Sequence, residues 1–472
     1  SAPAPPPPPP PPADAGTDAG SRPTNDQAAA ARAACTFSRG ALPADTLGAS
    51  APLGDQIPIN TIVVLMQENR SFDSYFSHLG KYAKRTDIES APDGTTNPST
   101  VGDGNPSGIT IAYQHAQHFC FLDTNHEWSG THVEWDLGKM DGFYFENNGF
   151  GPAPDGGMLL EDGVRALWWY DETDLPFYYA LASTFAIGDH YHAAILGPTW
   201  PNRMYLYSGT SFGRTTGNLP DVSMYSYPQN DAAIFDELEK AHVPWSIYGD
   251  GSIGAEVVFG PGLVNRYGRN PILHTQDFFT QAAAGTLPQV VFVDPQLGNQ
   301  PPTRNDEHPP GDVQVGQQFV GQVVQALFAS PQWPHAAMFW TYDEHGGIYD
   351  HVAPPPACAP DSIAPILAAG DTTQGGFDRY GVRVPMTVIS PYSRKAFVSH
   401  VVHDHTSILR FIQTRFSLPA LTARDANADP MLEFFDFSTP AFLTPPTLPT
   451  PTVDQTELAY CAQTFANIPS GP

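Results

Sequence analysis

Thr61-Ile-Val-Val-Leu-Met66 runs directly into Gln67-Glu68-Asn69-Arg70-Ser71-Phe72-Asp73. The first six residues are an unbroken β-branched and aliphatic run, too short for a helix and typical of a strand buried on both faces. The same succession recurs where Ala336-Ala-Met-Phe-Trp-Thr-Tyr342 meets Asp343-Glu344-His345-Gly346-Gly347. Neighbouring side chains on a strand point to opposite faces. For both members of a pair to face one site, the strand must already have ended. That puts Glu68/Asn69 and Asp343/Glu344 in turns at strand carboxyl ends, where open α/β sheets bind ligands.

Working outward, similar apolar runs occupy residues 243–248, 289–293 and 384–389. Helical patterns fall between them. Residues 231–240 carry Ile234, Phe235 and Leu238; Phe319, Val323 and Leu327 form a stripe that stops at Ser330-Pro331; residues 407–416 carry Ile408, Leu409, Phe411 and Ile412. Short buried strands alternating with helices predict an α/β domain. Residues 86–157 are rich in Gly, Asn, Asp, His and aromatics with weak periodicity, and read as an insertion near the active edge of the sheet. Its aromatics, among them Phe121, Trp128, Phe143 and Phe145, suit either an apolar lip or a satellite core. The proline-punctuated stretch 440–472 reads as a wrapping tail with a short end helix. No repeat is visible, so residues 31–472 are expected to form one domain.

The chain has 22 Lys+Arg against 49 Asp+Glu, a formal net charge of −27. A surface so negative repels nucleic-acid phosphate and anionic lipid headgroups, which excludes polyanion binding as a function class. Positive charge for an anionic substrate must therefore be local, from a metal or clustered histidines. No apolar run approaches the roughly 20 residues of a membrane-spanning helix. A content of 41% hydrophobic and 12% aromatic residues rules out a disordered chain. Residues 1–30, with an unbroken proline run at 5–12, read as an extended tether. The missing initiator methionine leads to the expectation of a secreted or cell-surface protein whose signal peptide has been removed. Four cysteines allow three pairings. Cys35–Cys461 as a clasp between the ends and Cys120–Cys358 as a loop staple are expected, with four free thiols the alternative.

Four oxygen-bearing side chains converging at two strand ends repel one another unless a cation joins them. An all-oxygen set favours a hard divalent ion. One acidic pair in a loop is more often simply solvated, but two pairs at the ends of strands far apart in sequence favour a shared site. Gly197-Pro198-Thr199-Trp200-Pro201-Asn202-Arg203 adds a hydroxyl flanked by fixed φ angles. A threonine held beside a divalent ion can be a nucleophile, because the metal lowers the alcohol's effective pKa. His126, His132, His308 and His351 would offer donors to a phosphoryl group and an acid for the leaving group. His400, His403 and His405 lie near a helix start, where capping or surface roles are expected, and Arg70 is expected to pair with Asp73.

Glu68-Asn-Arg-Ser-Phe-Asp73, Thr199-Trp-Pro-Asn-Arg203 and Asp343-Glu-His-Gly-Gly-Ile-Tyr-Asp-His-Val352 resemble the three ordered signatures of the bacterial phospholipase C and acid phosphatase family. Plant non-specific phospholipases C are similar. The resemblance spans residues 59 to 437. It implies an alkaline-phosphatase-like three-layer α/β sandwich with a mostly parallel central sheet, and hydrolysis of phosphoric esters through a phosphorylated enzyme. By position it makes Thr199 the nucleophile, and Glu68, Asn69, Asp343, Glu344 and Thr199 the ligands of one divalent ion such as Ca, Mg or Mn. His308 and either His126 or His132 resemble histidines that contact the phosphoryl group. Asn202 and Arg203 are expected at the substrate, His351 in proton transfer and Asp350 in orienting it.

Threonine as nucleophile favours the phospholipase branch, which yields diacylglycerol and a phosphorylated head group. The acid phosphatase branch, acting on soluble monoesters, is favoured by the lack of room for the β-rich domains that many secreted phospholipases C carry. A non-catalytic, metal-stabilised surface protein is the competing class. It has no need of a constrained hydroxyl beside a metal.

Overall fold

A computed structural model describes residues 22–101, 108–150, 162–217, 233–251, 254–259, 263, 266–298 and 303–468. Residues 1–21 of the expected tether, 231–232 of the expected helix and 102–107 and 151–157 of the expected insertion lie outside the described residues. The main strands are β1 (Thr61–Gln67), β2 (Ala186–Gly188), β3 (Trp245–Tyr248), β4 (Ile272–Leu273), β5 (Val290–Val293), β6 (Ala336–Tyr342), β7 (Met386–Ile389) and β8 (Val398–Ser399). The helices used below are α1 (Asn25–Ala33), α2 (Trp128–Trp135), α3 (Phe143–Asn147), α4 (Pro176–Thr184), α5 (Thr199–Ser208), α6 (Ile234–Lys240), α7 (Val313–Ala329), α8 (His405–Phe416) and α9 (Gln455–Thr464).

The eight strands form one sheet in the order β8-β2-β7-β6-β1-β5-β3-β4. Only β7 runs against the others. The five apolar runs of the sequence became β1, β3, β5, β6 and β7. β2, β4 and β8 are two or three residues long and offered no run to read. β1 and β6 are the spine, buried along their whole length because both faces are covered. Adjacent residues of β6 show the two coverings. The Phe339 ring lies 5.0 Å from Phe411 of α8, and the Trp340 ring lies 4.3 Å from Tyr178 of α4. The architecture is the expected three-layer α/β sandwich with a mostly parallel sheet.

Both disulfide expectations are overturned. Cys35 bonds Cys358 and Cys120 bonds Cys461, with Cα separations of 5.5 and 5.9 Å. Cys35 and Cys461 do not meet; each is fastened to an interior segment. Helix α1 (Asn25–Ala33) begins inside the stretch 1–30 expected to be tether, which it overlaps at residues 25–30. The tail ends in α9 as expected, and Pro451 lies against α7 where a Cβ on Gly321 would come within 2.4 Å of its ring. In the 86–157 stretch the aromatics are mostly core. Phe121, Trp128 and Phe143 are buried, while Phe145 is exposed. Met140, Phe143 and Tyr349 form a satellite cluster, so the apolar-lip alternative fails for them.

Candidate active site

Gln67, the last residue of β1, is paired with Tyr342, the last of β6. Glu68-Asn69 and Asp343-Glu344 therefore leave the sheet side by side, at the carboxyl ends of parallel strands. Asn69 takes a left-handed φ of +61°, which asparagine tolerates better than most residues. That turn aims its N–H at Asp343 Oδ1, 3.2 Å away, and Glu344 N–H donates to the same oxygen at 2.8 Å. Arg203 of α5 binds the strand ends together from within. Its Nε meets Asp343 Oδ2 at 3.2 Å, its Nη2 meets Glu68 Oε1 at 3.3 Å and its Nη1 lies 3.8 Å from Asp294, which follows β5. The guanidinium stands between carboxylates rather than facing outward, which departs from its expected place at a substrate.

Thr199 is the first residue of α5, set there by Pro198 in extended backbone. Asn202 holds the approach loop: Oδ1 accepts from Ile195 N–H at 3.0 Å, and Nδ2 donates to Gly197 O and Pro198 O at 2.7 and 3.1 Å. The Asn202 amide is thus used on backbone, and its expected place at the substrate is not borne out. The hydroxyl of Thr199 is buried and has no hydrogen-bond partner.

Glu68 Oε2, Asn69 Oδ1 and Glu344 Oε1 share that property: each is buried without a hydrogen-bond partner. Buried polar atoms are normally satisfied. Four buried oxygens without hydrogen bonds, on residues of three remote motifs, are the donor type that a hard divalent ion takes, and Glu68 Oε2 also lies 3.7 Å from Arg304 Nη2. Asp343 fits less simply, because both its oxygens already accept hydrogen bonds. Burial and neighbouring charges set the carboxylates apart. Burial and the neighbouring Asp306 push the Glu68 carboxyl well above the usual range, with Arg203 opposing. Burial pushes Asp343 up to about 6 against Arg203. Against the upward push of burial, His126 and His345 hold Glu344 below its ordinary value.

His126 and His308 come together, their rings 5.7 Å apart, with Asp123 between. His126 Nδ1 donates to Thr124 O at 2.8 Å, and its Nε2 lies 3.4 Å from Asn69 Nδ2. His308 Nδ1 donates to Pro309 O at 2.6 Å, leaving Nε2 without a hydrogen-bond partner, 3.8 Å from Asp123 Oδ2. The two differ in charge. Burial disfavours the His126 cation, but Glu344, Asp123 and Glu127 overcome it and raise the ring to about 10. Burial, Arg304 and His126 push His308 well below its ordinary value. Among the described residues, Asp123, His126 and His308 are also one of the tight trios of potential ligand atoms; Glu68, Asp343 and Glu344 are not, since Arg203 stands between the first two.

Other expectations fail. His132 donates to Trp128 O at 2.6 Å and packs on the Trp128 and Trp135 rings, whereas His126 lies beside Asn69. Asp350 and His351 join Asp73 and Arg383 instead. Arg383 meets Asp350 at 2.9 Å and Asp73 at 3.0 Å, and His351 Nδ1 lies 2.6 Å from Asp73. With Glu89 3.9 Å from His351 Nε2 and Val352 N–H donating to Asp350, these are the hydrogen bonds and ion pairs shown for the two residues, and none reaches Thr199 or the four acidic and amide residues. A proton-transfer role for His351 and an orienting role for Asp350 therefore have no geometric support. Arg70 does not pair with Asp73; it donates to Asn69 O and lies over the Phe121 ring. His400 is exposed and meets Asp189, in keeping with the expected surface role; His403 meets Glu433 and His405 lies 2.7 Å from Asp343 O, and both are buried, so neither of these two is a surface group.

Several residues escaped the sequence reading. Asp294 sits directly after a recognised strand and was open to the strand-end argument. Glu134 reaches His345 at 2.8 Å from α2, and no spacing announces it.

Residues 59–419 match the family described as Phosphoesterase family. The chain is 33% identical over 452 residues to "Phospholipase C B" of Mycobacterium tuberculosis, covering 86% of this chain and 82% of that one. It is 32% identical over 400 residues to "Non-specific phospholipase C1" of Arabidopsis thaliana, covering 80% and 71%. A solved protein of the alkaline phosphatase superfamily from Vibrio parahaemolyticus is similar at 11% identity and a TM-score of 0.34, covering 75% of this chain and 77% of that one. That score is too low to bear on the fold, which stands on the sheet itself. With the family matched across the sheet and all three motifs, the chain belongs to the phosphoesterase family and is a phosphoric ester hydrolase.

Proposed function

We propose that this chain is a secreted, metal-dependent phosphoesterase of the phospholipase C type, acting through a phospho-threonine on Thr199. The observation that carries the reading is the set of four orphaned buried oxygens on Glu68, Asn69, Thr199 and Glu344. With Asp343 these residues would hold one divalent ion, which when bound supplies a Lewis acid that lowers the alcohol's pKa and neutralises developing charge. Thr199 attacks phosphorus from the first turn of α5, where the N–H groups of Thr199 and Trp200 would face the phosphoryl oxygens, Pro201 having none. His126, its Nδ1–H held on Thr124 O, gives a proton from Nε2 to the departing alcohol. His308 keeps its Nδ1 proton on Pro309 O and presents a lone pair at Nε2 to a proton arriving from water in the second step. Water then releases phosphate ester from Thr199.

The curated names of the relatives support a phospholipid substrate; the buried aromatics of 86–157 do not add to it. Two disulfides suit an oxidising compartment, and no helix among the described residues is long and apolar enough to cross a membrane. The test compares diacylglycerol release from phosphatidylcholine with phosphate release from a chromogenic monoester, for wild type and Thr199→Ala, with and without chelator. We expect wild-type diacylglycerol release, lost on chelation and lowered at least about 1000-fold in Thr199→Ala. Turnover confined to monoesters would favour the acid phosphatase reading. Equal rates for wild type and Thr199→Ala would remove the nucleophile.

A further inference from the structure

Glu307 precedes His308 and is buried. Its backbone has φ +73°, a left-handed conformation that a side-chain-bearing residue keeps only when its surroundings hold it there. Its side chain shows what holds it. Oε1 accepts from Gln67 Nε2 at 3.1 Å and Tyr178 Oη at 2.5 Å. Oε2 accepts from Tyr342 Oη at 2.8 Å and from Tyr75 Oη. Two donors on each oxygen fill a carboxylate's capacity. Helix α7 leaves room for the side chain through a glycine: a Cβ on Gly316 would lie 2.1 Å from Glu307 Cγ. Arg70, buried nearby, supplies positive charge to the same cage.

The donors are not arbitrary core residues. Gln67 ends β1 immediately before Glu68, and Tyr342 ends β6 immediately before Asp343. One carboxylate therefore ties the turn bearing His308 to both strand ends that carry the ligand pairs. A buried carboxylate is a poor device for stability alone, since desolvation offsets much of what its hydrogen bonds contribute. It is a good device for fixing one geometry.

We propose that Glu307 is a positioning residue for His308: caged by Tyr75, Tyr178, Tyr342 and Gln67, it fixes the left-handed turn from which His308 Nε2 faces Asp123 and His126. The role deepens the reading of His308 as part of the phosphoryl pocket and rests on it.

The test uses Glu307→Gln, His308→Ala and the double variant. For Glu307→Gln we expect kcat on a chromogenic phosphate ester to fall about 10- to 100-fold with KM within about 3-fold. In the His308→Ala background the same change is expected to cost less than about 2-fold, because its effect runs through His308. Unchanged kcat in Glu307→Gln, or losses that multiply in the double variant, overturns the proposal. A second readout needs no turnover. In spectra of 15N-histidine-labelled protein, the His308 signals (those missing in His308→Ala) should report a single Nδ1–H tautomer in wild type and an averaged one in Glu307→Gln. An unaltered tautomer overturns positioning even if the protein hydrolyses no phosphate ester, in which case the functional reading fails separately. Should Glu307→Gln not fold, Tyr178→Phe and Tyr342→Phe each remove one hydrogen bond from the same cage and disturb it more gently. Both should lower kcat and broaden the His308 signals, and a normal kcat with normal signals in both sinks the idea.

Discussion

Asn202 uses its whole amide on the loop ahead of it, closing Ile195, Gly197 and Pro198 onto the first turn of α5. Thr199 is therefore held by a side chain that never needs to meet a substrate. Asn202→Ala would leave the Ile195 N–H buried without a partner, which costs about 1–3 kcal/mol. We expect its urea midpoint to drop accordingly and kcat to fall more than KM rises, as the hydroxyl loses its fixed direction. A variant as stable and as active as wild type would show that the prolines alone set the loop. At this scale the sequence was half legible. The rigid turn at Thr199 was legible because two prolines and a glycine announce it. Asn202 was misread because a polar residue in a turn motif looks the same whether it faces a ligand or its own backbone. Asp350 and His351 failed for a related reason: adjacency to a recognised motif says nothing about which way a loop carries its side chains, and Arg383, from a different strand's approach, captured both carboxylates of that network.

Elements were legible in proportion to their length. β1 and β6 are long, continuously apolar and bounded by polar turns, so both the strands and the site at their ends could be read. β8, two residues long, could not, because side-chain bonds from outside it hold it in place. Ser399 Oγ and His403 Nε2 each lie 2.7 Å from Glu433 Oε1. Against the upward push of burial, His403 and Ser399 hold Glu433 down to about 2. Burial opposes the His403 cation, but Glu433 raises it above its ordinary value. The depressed carboxylate contributes stability that is present above its unfolded value of about 4.3 and lost as pH falls toward 2. The raised histidine contributes stability that is full below about 6.5 and lost as pH rises through its folded value. Glu433→Gln should therefore be less stable than wild type by up to about 3 kcal/mol between roughly pH 5 and 6.5, with the deficit shrinking on both sides. Urea unfolding from pH 2.5 to 8.5 measures it, and a deficit that does not vary with pH would show the pair to be packing, not charge. The disulfides were illegible on the same grounds as β8. Pairing is decided by where loops come to rest, and proximity of Cys35 and Cys461 to the two chain ends carried no information about that.

The whole molecule carries its charge unevenly. Among the described residues Arg70, Arg165, Arg203, Arg304, Arg383, Arg410, Arg415 and Arg424 are buried, so 8 of the 22 Lys+Arg are withdrawn from the surface and leave an outside that is poor in cations. With a net charge of −27, an anionic surface meets repulsion before any group of the site can act on it. The fold and the acidity were both plain in the sequence; that the arginines lie inside was not, since a single Arg in text gives no sign of its depth. Their placement sharpens what to expect of a lipid substrate. Screening acts over about 10 Å at 0.1 M salt, so repulsion from a charged vesicle should weaken strongly between 10 and 300 mM salt. Initial rates on vesicles of an anionic phospholipid should start low and climb several-fold across that range, while rates on zwitterionic phosphatidylcholine vesicles stay nearly flat. The comparison cancels any direct effect of salt on the chemistry, because the same site acts on both. Faster turnover of the anionic vesicles at low salt would mean that the outer face of the site holds cations the fold does not reveal, and that the acidic exterior has no say in which membrane the enzyme meets.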